Sequence, residues 1–304
     1  MSLDVDGRSL EISNENKVFF PDGGITKGDV VRYYRRIAAW MLPWLGDRAV
    51  VMHRFPDGID GQDFIQKQAP AGLPDWLETV TLHHAGGTTT DYVVCRDAAT
   101  LVALADLGCV VPHIWLSRAS QPHVPDQFII DLDPPGALDA RAIERVRLAA
   151  GTIHDLLGSR DLPSFVKSSG SRGLHIHVPV REAPGFDEVR RLASDLSRRV
   201  AREHPDDLTV AQRKADRGDR LYLDVMRNGY GQHAVAPYAI RALPTAPVAV
   251  PLDWSEVRDV EFHPRRITLR NVFRRLGQKD DPWADLHDAP VPYDQLRQSI
   301  RGLR

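Results

Sequence analysis

Phe128-Ile129-Ile130-Asp131-Leu132-Asp133-Pro134-Pro135 decides how this chain is read. The apolar run has the make-up of a buried strand, and the two prolines, which lack the N–H that a ladder needs, end it. Side chains alternate along a strand, so Asp131 and Asp133 share one face. Two carboxylates side by side at the end of a core strand repel each other, and a divalent cation would relieve that repulsion. All-oxygen ligation suits Mg²⁺ or Mn²⁺ better than Zn²⁺. The same acids could instead belong to an acidic turn, or cap the helix into which Leu138-Asp139-Ala140-Arg141 leads, since Asp-x-Asp alone is a common pattern.

Working outward, Arg220-Leu221-Tyr222-Leu223-Asp224-Val225-Met226-Arg227 is a second strand candidate with a carboxylate among apolar neighbours, where it needs a partner. An ion pair with Arg220 or Arg227 would serve, and so would a metal shared with Asp131 and Asp133. Three carboxylates around two cations can activate a hydroxyl and stabilise a departing pyrophosphate. Between the acidic strands lies Lys167-Ser168-Ser169-Gly170-Ser171-Arg172-Gly173-Leu174-His175-Ile176-His177-Val178-Pro179, a small-residue loop running into a strand. Its glycines let backbone N–H groups approach an anion, and Lys167, Ser169 and Arg172 can add donors. His175 and His177 share a face of the following strand. His-x-His also occurs in zinc sites, but no third His or Cys ligand stands nearby. Further on, Arg227 and Arg241 flank a glycine-containing turn and another strand, each a fork for phosphate or for an acid.

The rest of the chain sets the frame. With 304 residues, 42% of them hydrophobic and 26% charged, it can bury a large core as one domain or two joined lobes. Strand-like runs such as 49–52, 128–130 and 221–223 alternate with helical patterns over 27–42, 98–107 and 141–157, which gives a mixed α/β class. No internal repeat, long linker or membrane-spanning apolar stretch occurs, and the acidic start is unlike a secretion signal, so a cytoplasmic setting is expected. Cys95 and Cys109 are the only cysteines, too few for a disulfide framework or a thiolate zinc site, and are read as small buried apolar residues. A net charge of −2 gives no global pull on nucleic acid, so phosphate binding must be local. Arg190, Arg191, Arg198, Arg199 and Arg202 alternate with acids and read as a solvated helix face. Arg265, Arg266, Arg270, Arg274 and Arg275 are less well neutralised, leaving phosphate contact and solvated face both open.

Taken in order, Asp131-Leu132-Asp133, Ser169-Gly170-Ser171-Arg172-Gly173-Leu174-His175 and Asp224-Val225-Met226-Arg227-Asn228 resemble the three motifs of the archaeo-eukaryotic primase superfamily. Asn14-Glu15-Asn16-Lys17-Val18-Phe19-Phe20-Pro21, Thr26-Lys27, His53-Arg54-Phe55-Pro56-Asp57-Gly58, Lys67-Gln68-Ala69-Pro70 and Ala236-Pro237-Tyr238-Ala239-Ile240-Arg241-Ala242 resemble the polymerase domain of bacterial ligase D in particular. The likeness runs from about residue 3 to residue 275. It implies an α/β primase-polymerase fold, with an RRM-like catalytic half on a mixed sheet and an N-terminal α/β lobe, over residues 1–304 as a single domain. It also implies that Asp131, Asp133 and Asp224 hold two Mn²⁺ or Mg²⁺ ions. Ser169, Arg172 and His175 would contact a nucleoside triphosphate, with Arg54, His113, Arg217, Arg227 and Arg241 at further polar positions of the site. Lys17 and Lys27 match a lysine pair that grips a 5′ phosphate on the downstream strand.

The implied activity is template-directed addition of nucleotides, with a preference for ribonucleotides, to 3′ ends at short gaps or double-strand breaks. Two departures stand out. Relatives carry an adjacent aromatic pair before Gln-Lys where this chain has Phe64-Ile65-Gln66-Lys67, leaving Phe64 alone to stack on a template base. His53-Arg54 replaces Lys-Arg, exchanging a permanent cation for one that titrates near neutral pH. Neither a Lys-x-Asp-Gly ligase motif nor length for a ligase or nuclease module is seen. The expected associates are therefore broken or gapped DNA, a separate DNA ligase and a Ku-type end-binding protein, for a monomer at the bacterial nucleoid. Competing readings are a metal-dependent phosphohydrolase or nuclease using the same acids, and a non-catalytic DNA-end-binding scaffold.

Overall fold

A computed structural model describes residues 1–84 and 86–302. The chain forms two compact units, each assembled from separated segments: one from Met1–Pro122, His233–Ala249 and Ile267–Gly277, the other from His123–Gln232, Val250–Arg266 and Gln278–Arg304. The class is mixed α/β, as the alternation of patterns anticipates. No helix among the described residues is long and apolar enough to cross a membrane.

In the second unit the strand Gln127–Asp133 lies at the centre of a mostly antiparallel sheet. Its order is Leu208–Thr209, Leu221–Asp224, Gln127–Asp133, Leu174–Arg181, Phe165–Ser168, Pro251–Leu252, with Val291–Pro292 added in parallel beside Leu174–Arg181. Phe128, Ile129, Ile130 and Leu132 are fully buried, each contributing about 1.5–3 kcal/mol, so the strand cannot slip without exposing them. The helices Ala140–Gly158 and Phe186–Glu203 pack on this sheet. Asp139 caps the first, its carboxylate accepting from the Ala142 N–H at 2.8 Å. The capping role open to the acids of this segment therefore falls to Asp139, leaving Asp131 and Asp133 in the strand. The second helix spans the arginine-rich segment, where Arg190 pairs with Asp187, Arg191 with Glu188, Arg198 with Asp195 and Arg199 with Glu203. These pairs of neighbouring turns are what a solvated face requires.

The first unit is built on the sheet order Ala234–Val235, Cys109–Ile114, Ala49–Arg54, Thr89–Val94, Thr79–His83, with Phe64–Gln66 pairing the far end of Ala49–Arg54. The helix Lys27–Leu45 opens with a reciprocal Thr26/Asp29 capping box, which satisfies two N–H groups that a helix start leaves orphaned. It buries Val30, Val31, Tyr34, Ile37 and Met41, an apolar stripe at helical spacing. Cys95 and Cys109 are buried free thiols, and burial pushes the Cys109 thiol up to about 12, consistent with inert core residues.

Candidate active site

Strand register assembles a polar row in the second unit. Asp131 sits directly opposite Asp224 on one side and His175 on the other, and His175 faces Lys167 on the next strand. Residues opposite each other across a ladder point to the same face, so Lys167, His175, Asp131 and Asp224 form a continuous line across four strands. Asp133 lies two residues on from Asp131, opposite Tyr222, which places the third acid on the same face. The three carboxylates thus share one patch, although only Asp131 and Asp133 are close in sequence.

The patch is electrostatically unfinished. Burial pushes the Asp131 carboxyl up to about 7; the charges of Asp224 and Asp133 push the same way, against Arg227 and Lys167. The Asp133 carboxylate is taken by two arginines, Arg172 at 2.7 Å and Arg217 at 3.6 Å. Asp224 accepts from the Met226 N–H at 2.7 Å. Arg220 is turned away, onto the carbonyls of Arg217 and Asp216, so it is not the partner that sequence pattern offered to Asp224. Among the described residues no group of three or more His, Cys, Asp or Glu side chains stands in ready-made metal-ligating geometry. The Asp133 carboxylate is turned to the Arg172 guanidinium. The donor set nonetheless suits a hard divalent cation, being all carboxylate oxygen, with burial and neighbouring acids driving Asp131 toward its neutral form.

The loop beside the acids is locked from several directions. Ser169 Oγ accepts from the N–H groups of Ser171 at 3.2 Å and Gly173 at 3.1 Å, and the Ser169 N–H reaches the Gly173 carbonyl at 3.0 Å. Gly170 has a left-handed backbone, φ +62°. Gly173 runs so close to the acid strand that a Cβ there would lie 1.7 Å from the Leu132 carbonyl oxygen. Arg172 spans from Asp133 to the Gly136 carbonyl, and Arg265 Nε donates to the Ser171 carbonyl at 2.8 Å. Arg265 is thereby a brace of the loop, neither a bare phosphate contact nor a purely solvated charge. Arg217 lies 3.7 Å over the Tyr222 ring and is anchored on the carbonyls of Ala211 and Gln212.

Three residues near the site have roles that the sequence does not show. Asn228 donates to the carbonyls of Ile129 and Val225 and accepts from the Ile129 N–H, all within 2.8 Å, clamping the acid strand from the turn after Asp224. Gln127 Oε1 meets His177 Nδ1 at 2.7 Å, so His177 is a hydrogen-bonded core residue. Lys167, expected to reach an anion from the loop, is fully buried in the strand Phe165–Ser168, with Nζ 3.2 Å from His175 Nδ1. Asn228 does stand within a quoted motif, whereas only tertiary packing exposes the roles of Gln127 and Lys167.

The first unit holds the remaining candidates. Arg54 ends the strand Ala49–Arg54, donates to the Leu107 carbonyl and to Gln66 Oε1, both at 2.7 Å, and lies 5.2 Å from the ring of Phe64, which is 41% exposed. His113 stacks between His53 and His233, with ring centres 6.4 and 5.0 Å away, while His53 meets Asp63 at 2.5 Å. The Arg241 N–H bonds the Pro247 carbonyl at 2.7 Å. Lys17 is half-exposed and bonds Asp57 at 2.8 Å and the Pro56 carbonyl at 3.1 Å, beside an open cleft lined by Met1, Ile12, Asn14, Glu15 and Asn16. The Lys27 ammonium, 6% exposed, pairs with Asp106 at 2.7 Å and Ser13 Oγ at 2.8 Å. The two lysines meet through the backbone, Lys27 N–H to Lys17 carbonyl at 2.8 Å.

With this geometry in hand, the family described as LigD, primase-polymerase domain, matches residues 26–283. The chain belongs to that family. This makes it a nucleotidyltransferase of the primase-polymerase type. Among curated relatives, the multifunctional non-homologous end joining protein LigD of Mycolicibacterium smegmatis is 30% identical over 97% of this chain but 38% of its own length. LigD of Pseudomonas aeruginosa is 31% identical over 91% of this chain and 32% of its own. The chain thus spans about a third of the length of these LigD proteins. The solved polymerase domain of Mycobacterium tuberculosis ligase D, in complex with DNA, superposes with a TM-score of 0.84 at 27% identity, covering 92% of this chain and 99% of that one. The fold is the primase-polymerase fold.

Proposed function

We propose that this LigD-type primase-polymerase chain extends 3′ ends of gapped or broken DNA by template-directed addition of nucleoside triphosphates, ribonucleotides preferred, in end-joining or gap-filling repair. The observation that carries the reading is the ladder that sets Asp131 opposite Asp224 and His175, with Asp133 on the same face. When bound by Asp131, Asp133 and Asp224, a pair of Mn²⁺ or Mg²⁺ ions supplies the means to lower the pKa of a primer hydroxyl and to neutralise a departing pyrophosphate. The chain's own residues bind and orient. Arg172, Arg217 and Arg227 lie around the acids as permanent cations for polyphosphate oxygens. The braced Ser169–Gly173 loop offers a rigid wall, so that little ordering is left for the reacting complex.

In the first unit Arg54, His113 and Arg241 are the further nucleotide-binding candidates, and Phe64, one of few exposed large apolar side chains, is the stacking surface for a template base. Lys17, half-exposed beside its cleft, is the direct contact for a downstream 5′ phosphate. Lys27, its N–H bonded to the Lys17 carbonyl and its ammonium paired with Asp106, is the second lysine of the pair. Partners of this function are a DNA ligase to seal the product and a Ku-type protein to hold ends.

The test is extension of a labelled primer on a gapped duplex with either metal, either sugar, and a downstream strand with or without its 5′ phosphate. Wild-type chain should add nucleotides, and Asp131→Ala or Asp224→Ala should abolish addition while DNA binding persists. Shortening of the label in place of extension would favour a nuclease. Unchanged activity in either aspartate variant would remove the acids from the chemistry and leave an end-binding scaffold.

A further inference from the structure

We infer that Lys167 is a positioning residue that fixes the tautomer of His175, making its Nε2 an obligate hydrogen-bond donor to a polyphosphate oxygen. The inference rests on the proposed polymerase function only for the identity of that anion. Lys167 is fully buried, and its Nζ lies 3.2 Å from His175 Nδ1. The opposite ring nitrogen, Nε2, lies 3.6 Å from Asp131 Oδ1, toward the acidic patch. An ammonium carries three protons and no lone pair, so it can only donate in this contact. His175 Nδ1 must then accept, and a neutral imidazole that accepts at Nδ1 carries its proton on Nε2.

A buried ammonium is costly unless opposite charge stands near. The acidic patch, with Asp131, Asp224 and Asp133 on the face that Lys167 and His175 share, supplies it. The consequence is chemical. With its proton on Nε2, His175 has no lone pair facing the patch, so it can neither ligate a cation there nor take a proton from water. It presents an N–H to whatever anion enters beside Asp131. This favours nucleotide placement over a hydrolysis in which His175 would act as the base.

Long-range proton–nitrogen correlation spectra of the metal-free, ¹⁵N-histidine-labelled full chain read the tautomer directly, with the His175 signal assigned by its loss in His175→Gln. The expected result is a neutral ring protonated at Nε2. Lys167→Met, which keeps the length and removes the donor, should mix in the Nδ1 tautomer. It should also raise the KM for nucleoside triphosphate about tenfold with a smaller change in kcat. An imidazolium or an Nδ1-protonated ring in wild type overturns the inference, even where the variant does not fold. So does a Lys167→Met chain whose tautomer is unchanged, because any loss of activity would then be merely structural. A chain with the expected tautomers that adds no nucleotide would sink the polymerase function and leave the role of Lys167 standing.

Discussion

Asp131 concentrates the conflict between stability and chemistry at the residue scale. Its folded carboxyl is lifted to about 7, so between about pH 4 and 7 the native state keeps a proton that the unfolded chain has released. The stability tied to that proton is full below about pH 4, is lost as pH rises toward 7, and stays lost above. The metal-free Asp131→Asn variant should therefore melt higher than wild type at pH 7.5, by about 2–4 kcal/mol, and the gain should vanish near pH 4. A pH-independent difference in thermal melts would contradict the raised carboxyl. Added Mn²⁺ should reverse the order, because it stabilises only the chain that binds it; equal stabilisation of both chains would place the metal elsewhere. Sequence pattern already made Asp131 and Asp133 neighbours on one face. It could not show that Arg172 holds Asp133 or that Lys167 turns away from the loop, since both depend on residues far apart in the chain.

At the scale of elements, the site depends on how tightly loop and strand are joined. The place a Cβ on Gly173 would occupy is 1.7 Å from the Leu132 carbonyl oxygen, backbone that cannot give way without shifting both flanking aspartates. Gly173→Ala should cost nucleotide addition on the order of a hundredfold, the penalty of about 1 Å of misplacement, and a near-wild-type kcat/KM would show that the strand yields. Asn228 makes three buried hydrogen bonds to the acid strand and its own turn, and Asn228→Ala leaves the Ile129 N–H and carbonyl without them. A loss of about 2–4 kcal/mol in denaturant unfolding is expected, against about 1 kcal/mol for the helix cap in Asp139→Ala. Equal losses in the two variants would mean that the clamp is no more than a turn. The strands and helices themselves were legible, because alternation and helical spacing are local. The clamp was not, because a motif residue written after Asp224 gives no sign that it reaches back to Ile129.

The whole molecule, at a formal charge of −2, has no general attraction for DNA. Under the proposed function, DNA binding would come from local cations and weaken with salt in proportion to the number of phosphates they neutralise. Lys17→Ala should reduce the salt slope of binding to a 5′-phosphorylated gap by about one unit and erase the preference for that phosphate, while extension on unphosphorylated gaps stays near wild type. A variant that keeps the preference would move the phosphate contact away from Lys17.

By itself the sequence determined the class, the principal elements and the three ordered motifs, because strand alternation, helical spacing and turn residues act over a few positions. It also determined the family, because several spaced motifs in fixed order are far more specific than any one. Only the tertiary structure decided that Asp224 lies opposite Asp131, that His175 is backed by a buried lysine, and that Asn228 holds the acid strand. Register across a sheet is set by which apolar faces can be buried together, and that is a property of the packed chain and of no single segment.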